Sequence, residues 1–225
     1  AYLRLRPGPH SFPLKSAEAG QAWARHSFLG TDPLMVLTAK NGRVTLRRGG
    51  AKPQRLPDGD PLEALRGLLG EFRPVAVPGL PRFQGGAVGY LAYDMVRHME
   101  RLPRTTNDDL GLPDAVFMLS DTLLVFDNLR HRLLVIANAH VDKRDPAALD
   151  RAYDDAAVRI GMTLAKLARP ARAPAAPALT APGPLIALGE EGFASTMDEA
   201  QFSDAVRRAK EYIAAGDAYQ VVLSR

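Results

Sequence analysis

The chain has 225 residues, 46% hydrophobic and 24% charged, ordinary values for a globular protein with room for one large domain or one domain plus part of another. It has no cysteine, which excludes a disulfide framework and thiolate chemistry and fits a cytosolic protein. The net charge of +4 is carried by scattered arginines without interleaved aromatics, a solvated surface rather than a nucleic-acid stripe. No apolar run is long enough for a bilayer crossing, and Ala1-Tyr-Leu-Arg4 is no signal peptide, so no membrane partner is expected.

In chain order, Ser11-Phe-Pro-Leu-Lys-Ser16, ten further residues and then Ser27-Phe-Leu-Gly30 place two hydroxyls and several backbone amides on turns beside apolar strands. Such a constellation can hold a small zwitterion; equally, Ser16 and Ser27 can simply cap turns. Strands are predicted over Leu34–Thr38 and Arg43–Arg47, joined by Asn41-Gly42, the strongest hairpin signal in the chain. Asp60 and Pro61 open a helix running to Leu69. Further strands are predicted over Gly86–Tyr93, Ala115–Leu119, Asp121–Phe126 and Arg132–Ala137, with Asp127–His131 turning a second hairpin. A helix follows from Pro146 to about Leu167. Hairpins outnumber strand-helix-strand units, so residues 1–168 read as an α+β domain with a mostly antiparallel sheet and flanking helices. Residues 169–200 comprise a Pro/Ala linker and a polar connecting segment, since such a composition buries too little apolar surface to offset its ordering entropy. Residues 201–225 predict a helix, starting at Ser203 or Asp204 and stopping at Gly216, and then a strand over Ala218–Ser224. A helix and a strand in that order are the opening of a second domain.

Motifs for chemistry are sparse. Gly79-Leu-Pro-Arg-Phe-Gln-Gly85 lacks the Lys-Ser/Thr of a phosphate loop, and Gly85, Gly86 and Gly89 do not have dinucleotide-binding spacing. Those glycines read as tight turning and close packing where a strand enters the sheet. Asp94, Glu100, Asp108 and Asp109 fall in predicted loop without helical pairing, and the five histidines show no ligand spacing. No catalytic or metal-binding residue is assigned.

Four segments nevertheless resemble one family in the right order: Ser-Phe-x-Leu-x-Ser…Ser-Phe-Leu-Gly, Phe83-Gln-Gly-Gly-Ala-Val-Gly-Tyr-Leu-Ala-Tyr-Asp94, Met118–Asp127 with Arg130-His-Arg132, and Ala205–Arg225. Together they are similar to the large, chorismate-binding subunit of anthranilate synthase. Aminodeoxychorismate synthase, a close relative, shares several of them, but Gln220-Val-Val-Leu-Ser-Arg225 suits the anthranilate enzyme better. The resemblance implies a lyase of tryptophan biosynthesis that turns chorismate and ammonia, delivered by a glutamine amidotransferase subunit, into anthranilate and pyruvate with Mg²⁺. It also implies that the catalytic histidine and the Mg²⁺-binding glutamates lie beyond Arg225, leaving this chain an inactive N-terminal fragment. L-tryptophan is the implied feedback effector, with Leu14, Lys15, Ser16, Arg25, His26, Ser27 and Phe28 on the near wall of its site. Ser16 matches the serine of the family's Leu-Leu-Glu-Ser motif, but Pro13 stands for its first leucine and Lys15 for its glutamate. A lysine beside the effector's ammonium would repel it by roughly 1 kcal/mol under solvent screening. A reading of a different class, a free-standing binding or scaffold module, needs none of these roles.

Overall fold

The computed structural model describes residues 2–5, 8–15, 25–103, 105, 107–141, 145–170 and 195–224. Contacts divide the chain into two compact units, Ala1–Ala173 and Pro174–Arg225.

The first unit contains two antiparallel sheets. A four-stranded sheet has the order β1-β2-β8-β9, built from Ser11–Leu14, His26–Thr31, Thr122–Asp127 and Arg132–Ala137. A five-stranded sheet has the order β5-β4-β3-β7-β6, from Gln54–Arg55, Arg43–Arg48, Met35–Lys40, Ala115–Ser120 and Gly86–Leu91. The antiparallel α+β expectation holds, with two sheets where the sequence suggested a single one. Period-two alternation sorts the side chains into layers. Phe12, Leu123, Val125 and Ile136 of the first sheet meet Val88 and Met118 of the second. The outer face of the second sheet, with Met35, Leu37, Ala39 and Leu46, is covered by Leu68 of helix α2 (Pro61–Gly70). The outer face of the first, with Leu29, Leu124 and Val135, is covered by Leu5 of the short helix α1 (Tyr2–Leu5) and Leu167 of α3 (Pro146–Ala168).

Local signals explain most of these elements. Asn41 and Gly42 both take positive φ, 50° and 76°, the geometry a two-residue β3–β4 turn requires. The Asp60 side chain accepts from the Leu62 N–H at 2.9 Å, and Asp145 caps α3 by accepting from the Ala148 N–H at 2.8 Å. Buried Ala152 and Ala156, one turn apart, let α3 lie close on β9.

The sheets are joined at a sharp corner. β7 ends at Ser120 and β8 begins at Thr122, so Asp121 alone carries the chain from one sheet to the other. Its carboxylate accepts from Arg159 of α3 at 2.5 Å and lies 3.3 Å from His140 Nε2. Arg159 also donates to the Asn138 carbonyl at 2.7 Å and to Thr122 Oγ1 at 3.1 Å.

Several expectations change. β1 and β2 are regular strands, so Ser27 stands in a sheet rather than on a turn, while Ser16 lies outside the described residues. Pro13 is accommodated because β1 is an edge strand that does not need its N–H on the outer side. The strand predicted to Tyr93 stops at Leu91, and Tyr93–His98 forms a 3-10 helix in which Arg97 donates to Asp94 at 2.8 Å.

In the second unit, helix α4 (Glu199–Ala215) begins before Ser203. Asp198 and Gln201 form a reciprocal capping box, a stronger start signal than either predicted residue. Gly216 ends α4 in the left-handed conformation, as expected. The strand predicted over Ala218–Ser224 is absent: those residues join no ladder, and a strand exists only through partners. Most of the Pro/Ala segment, residues 171–194, lies outside the described residues.

Gly89 sits opposite Phe117 in the β6–β7 ladder, where a Cβ would fall 1.9 Å from the Val116 carbonyl oxygen and 2.8 Å from Phe117 Cα. Gly67, exposed on α2, has nothing within 4 Å of its Cβ position. Gly89→Ala is therefore expected to cost about 1–3 kcal/mol by urea denaturation. Gly67→Ala is expected to add about 0.5–1 kcal/mol through helix propensity. Equal effects of the two substitutions would contradict the packing at β6.

Candidate functional site

Of the residues assigned to an effector site, those that are described, Leu14, Lys15 and Arg25–Phe28, lie at one end of the four-stranded sheet. Leu14 ends β1 directly opposite Phe28 of β2. His26 of β2 lies opposite Asp127 of β8, and Ser27 opposite Phe126. Phe28 turns inward and meets Phe83 edge-on with ring centroids 5.4 Å apart; His26 packs beside Phe28 at 6.1 Å. The Phe83 contact ties this end of the sheet to the Phe83–Asp94 segment that precedes and forms β6. β1 is held against β2 by Phe12, whose ring lies over Gly30, its partner in the ladder.

Leu14 and Lys15 are exposed, while Arg25, His26, Ser27 and Phe28 are half-buried. Ser16 lies outside the described residues. The strand pairing thus brings Leu14 and residues 25–28 to the same end of β1 and β2, with His26 and Phe28 on the face of Val125 and Ser27 on the opposite face, beside Phe126.

Arg25 is committed. Its guanidinium grips Asp127 with two parallel hydrogen bonds, Nε to Oδ1 at 3.1 Å and Nη2 to Oδ2 at 2.9 Å. Asp127 is buried, with its side chain only 1% exposed. It also accepts from the Arg130 backbone N–H at 3.1 Å and has Arg132 Nη2 3.6 Å away. The next residue continues the contact: the Asn128 N–H donates to the Arg25 carbonyl at 2.8 Å, and its side-chain amide donates to Ser27 Oγ at 3.3 Å. Ser27 therefore receives one hydrogen bond and keeps its own hydroxyl proton to give.

The sequence had placed Asp127 and Asn128 only in a hairpin turn. The signal that could have found them was the alternation in Leu123-Leu-Val-Phe-Asp127. It puts Asp127 on the same face as buried Leu123 and Val125, where a carboxylate must have a cationic partner.

The hydrogen bonds from Arg25 hold the Asp127 carboxyl well below the usual carboxylate range. Burial pushes the other way and is outweighed, with the Arg130 N–H and the charge of Arg25 adding to the lowering.

The family model for chorismate binding enzymes matches residues 13–225. The chain belongs to that family. Among curated proteins it is 37% identical to anthranilate synthase component 1 of Acetivibrio thermocellus, over 100% of this chain and 44% of that protein. To component 1 of Pseudomonas aeruginosa it is 36% identical, again over 100% of this chain and 44% of that protein. To that of Streptomyces coelicolor it is 39% identical, over 97% of this chain and 38% of that protein. The chain thus spans less than half the length of the curated relatives it matches. The crystal structure of anthranilate synthase component I from Streptococcus pneumoniae TIGR4 superimposes with a TM-score of 0.55 at 24% identity, covering 96% of this chain and 43% of that one. The α+β architecture is therefore shared with that solved structure.

Among the described residues no group of three or more His, Asp or Glu side chains converges to hold a metal. The donors among the described residues do not fit Mg²⁺. No described helix is long and apolar enough to cross a membrane.

Since the folded-state pKa of Asp127 lies below its unfolded value, its ion pair contributes stability at neutral pH. That contribution is lost as the pH falls below about 4, toward the lowered folded value. Asp127→Asn is expected to lower the urea midpoint at pH 7, and the gap to wild type should narrow steadily between about pH 4 and pH 2. A gap independent of pH would mean that the charge of Asp127 does not stabilise the fold.

Proposed function

We propose that this chain is the N-terminal part of the large subunit of an anthranilate synthase, a lyase forming anthranilate and pyruvate from chorismate. In this reading a glutamine amidotransferase subunit supplies the ammonia, and the Mg²⁺ that serves chorismate chemistry is held by another part of the enzyme. Residues Leu14, Lys15, Ser16 and Arg25 to Phe28 form one wall of a tryptophan feedback site. The observation that carries the reading is identity of 36–37% to two component 1 proteins along 100% of this chain, at 44% of their length. The 24%-identical solved structure supports the fold alone.

The physical roles follow from chemistry. Ser27 can donate its hydroxyl proton to the effector's carboxylate, because its oxygen is already engaged as the acceptor of the Asn128 amide. Ser16 offers a second hydroxyl. Exposed Leu14 supplies apolar area near the end of the strand pair for an indole ring. Lys15 is exposed at the end of β1, and its charge disfavours an ammonium nearby.

Two measurements test this. Purified 1–225 chain given chorismate, ammonium and Mg²⁺ should form no anthranilate, followed by its fluorescence; turnover above background would contradict the assignment of catalysis to the rest of the enzyme. In the complete enzyme, calorimetry should show tryptophan binding weakened by about two- to tenfold in Ser16→Ala, through the loss of one hydrogen bond. Lys15→Glu should tighten it. Equal affinity in wild type and both variants would remove these residues from the site.

A further inference from the structure

We propose that Asp127 is the positioning residue of the effector site, acting through Arg25 and Ser27 without touching the ligand itself. The inference rests on the tryptophan reading above and changes the part that Arg25 plays in it. A guanidinium free to bind would be a natural partner for an amino-acid carboxylate. Here both hydrogen bonds of its fork go to Asp127, whose charge neutralises it. Arg25 is therefore a clasp between elements, and on this wall the Ser27 hydroxyl is a donor left for the carboxylate.

The clasp fixes three things at once. It pins the residue at which the chain enters β2, directly before His26 and Ser27. Through the Asn128 N–H it holds the Arg25 carbonyl, and through the Asn128 side chain it aims Ser27 Oγ. The Arg130 N–H, bonded to the same carboxylate, fixes the turn that carries Asn128. Removing the charge of Asp127 leaves Arg25 without its partner and loosens both sides of the β2–β8 pairing at the end where Leu14 and Phe28 meet.

A structural role alone would also lower stability, so a second ion pair serves as control. Asp121–Arg159 ties α3 to the opposite end of β8, six residues away or about 20 Å along the strand. It touches none of the residues assigned to the effector. Loss of this pair should loosen the fold and spare the site.

The experiment uses the complete enzyme with Asp127→Asn, Arg25→Lys and Asp121→Asn. It measures the tryptophan concentration for half-inhibition, the uninhibited kcat and KM for chorismate, and Tm. Asp127→Asn should raise the half-inhibiting concentration by about tenfold or more, the loss of a charge-assisted pair. Arg25→Lys, which keeps the charge and loses the fork, should fall between it and wild type. Asp121→Asn should lower Tm with less than a twofold change in tryptophan response. If Asp127→Asn does not fold, Arg25→Lys carries the test. Unchanged inhibition in the Asp127 and Arg25 variants would overturn the proposal, as would an equal shift in Asp121→Asn. A wild-type enzyme insensitive to tryptophan would overturn the effector reading, and the positioning role with it.

Discussion

The passage of the chain from one sheet to the other through Asp121 sets the terms for everything around it. With one residue between β7 and β8, the two strands cannot slide independently: a shift of one position would turn every side chain of β8 to the wrong face. Leu123 and Val125 would then leave the layer between the sheets, and Asp127 would leave its partner. The corner is held by a carboxylate that accepts from Arg159 of α3 while the same guanidinium holds the Asn138 carbonyl beyond β9. A single arginine thereby sets the height of α3, the end of β9 and the start of β8. The register at Asp121 is what delivers Asp127, at the far end of the same strand, to Arg25.

Two ion pairs therefore bracket β8, and they differ in kind. The corner pair lies between a helix and a strand end and is surrounded by further polar groups, Thr122 and His140 among them. The clasp at Asp127 has a bidentate arginine and a backbone N–H, with a second arginine nearby. A carboxylate buried to that degree is tolerated only because its acceptor positions are filled by cationic or N–H donors. The cost of breaking it lies mainly in the charge left behind.

What could be read from the sequence was what short-range chemistry decides. Asn41-Gly42, the aspartate cap before Pro61, the helix opening at Pro146 and the apolar runs of β7 to β9 carry their own signals, and each lies where it was expected. β1 and β2 were obscured because one contains Pro13 and the other is paired with a strand nearly a hundred residues later. Only the sheet makes them strands. The same holds in reverse for Ala218–Ser224, an apolar run that spacing alone would call a strand, with no ladder to join. At the candidate site the residues of the proposed wall were suggested by resemblance alone. Asp127 was missed because an aspartate before Asn-Leu-Arg-His looks like turn chemistry until its neighbours are known to face inward. The long separation between Arg25 and Asp127 left no local trace at all.

That separation has its own consequence for assembly. The residues of the clasp are 102 positions apart, whereas the β3–β4 and β8–β9 turns join strands that are adjacent in the chain. Closing a loop of that length rather than one of about four residues costs on the order of 3 kcal/mol more in chain entropy. Local hairpins meet no such barrier, so the chain can order most of its turns before Arg25 and Asp127 find each other. During synthesis, Arg25 and the whole of β2 have been made for about a hundred residues before Asp127 exists.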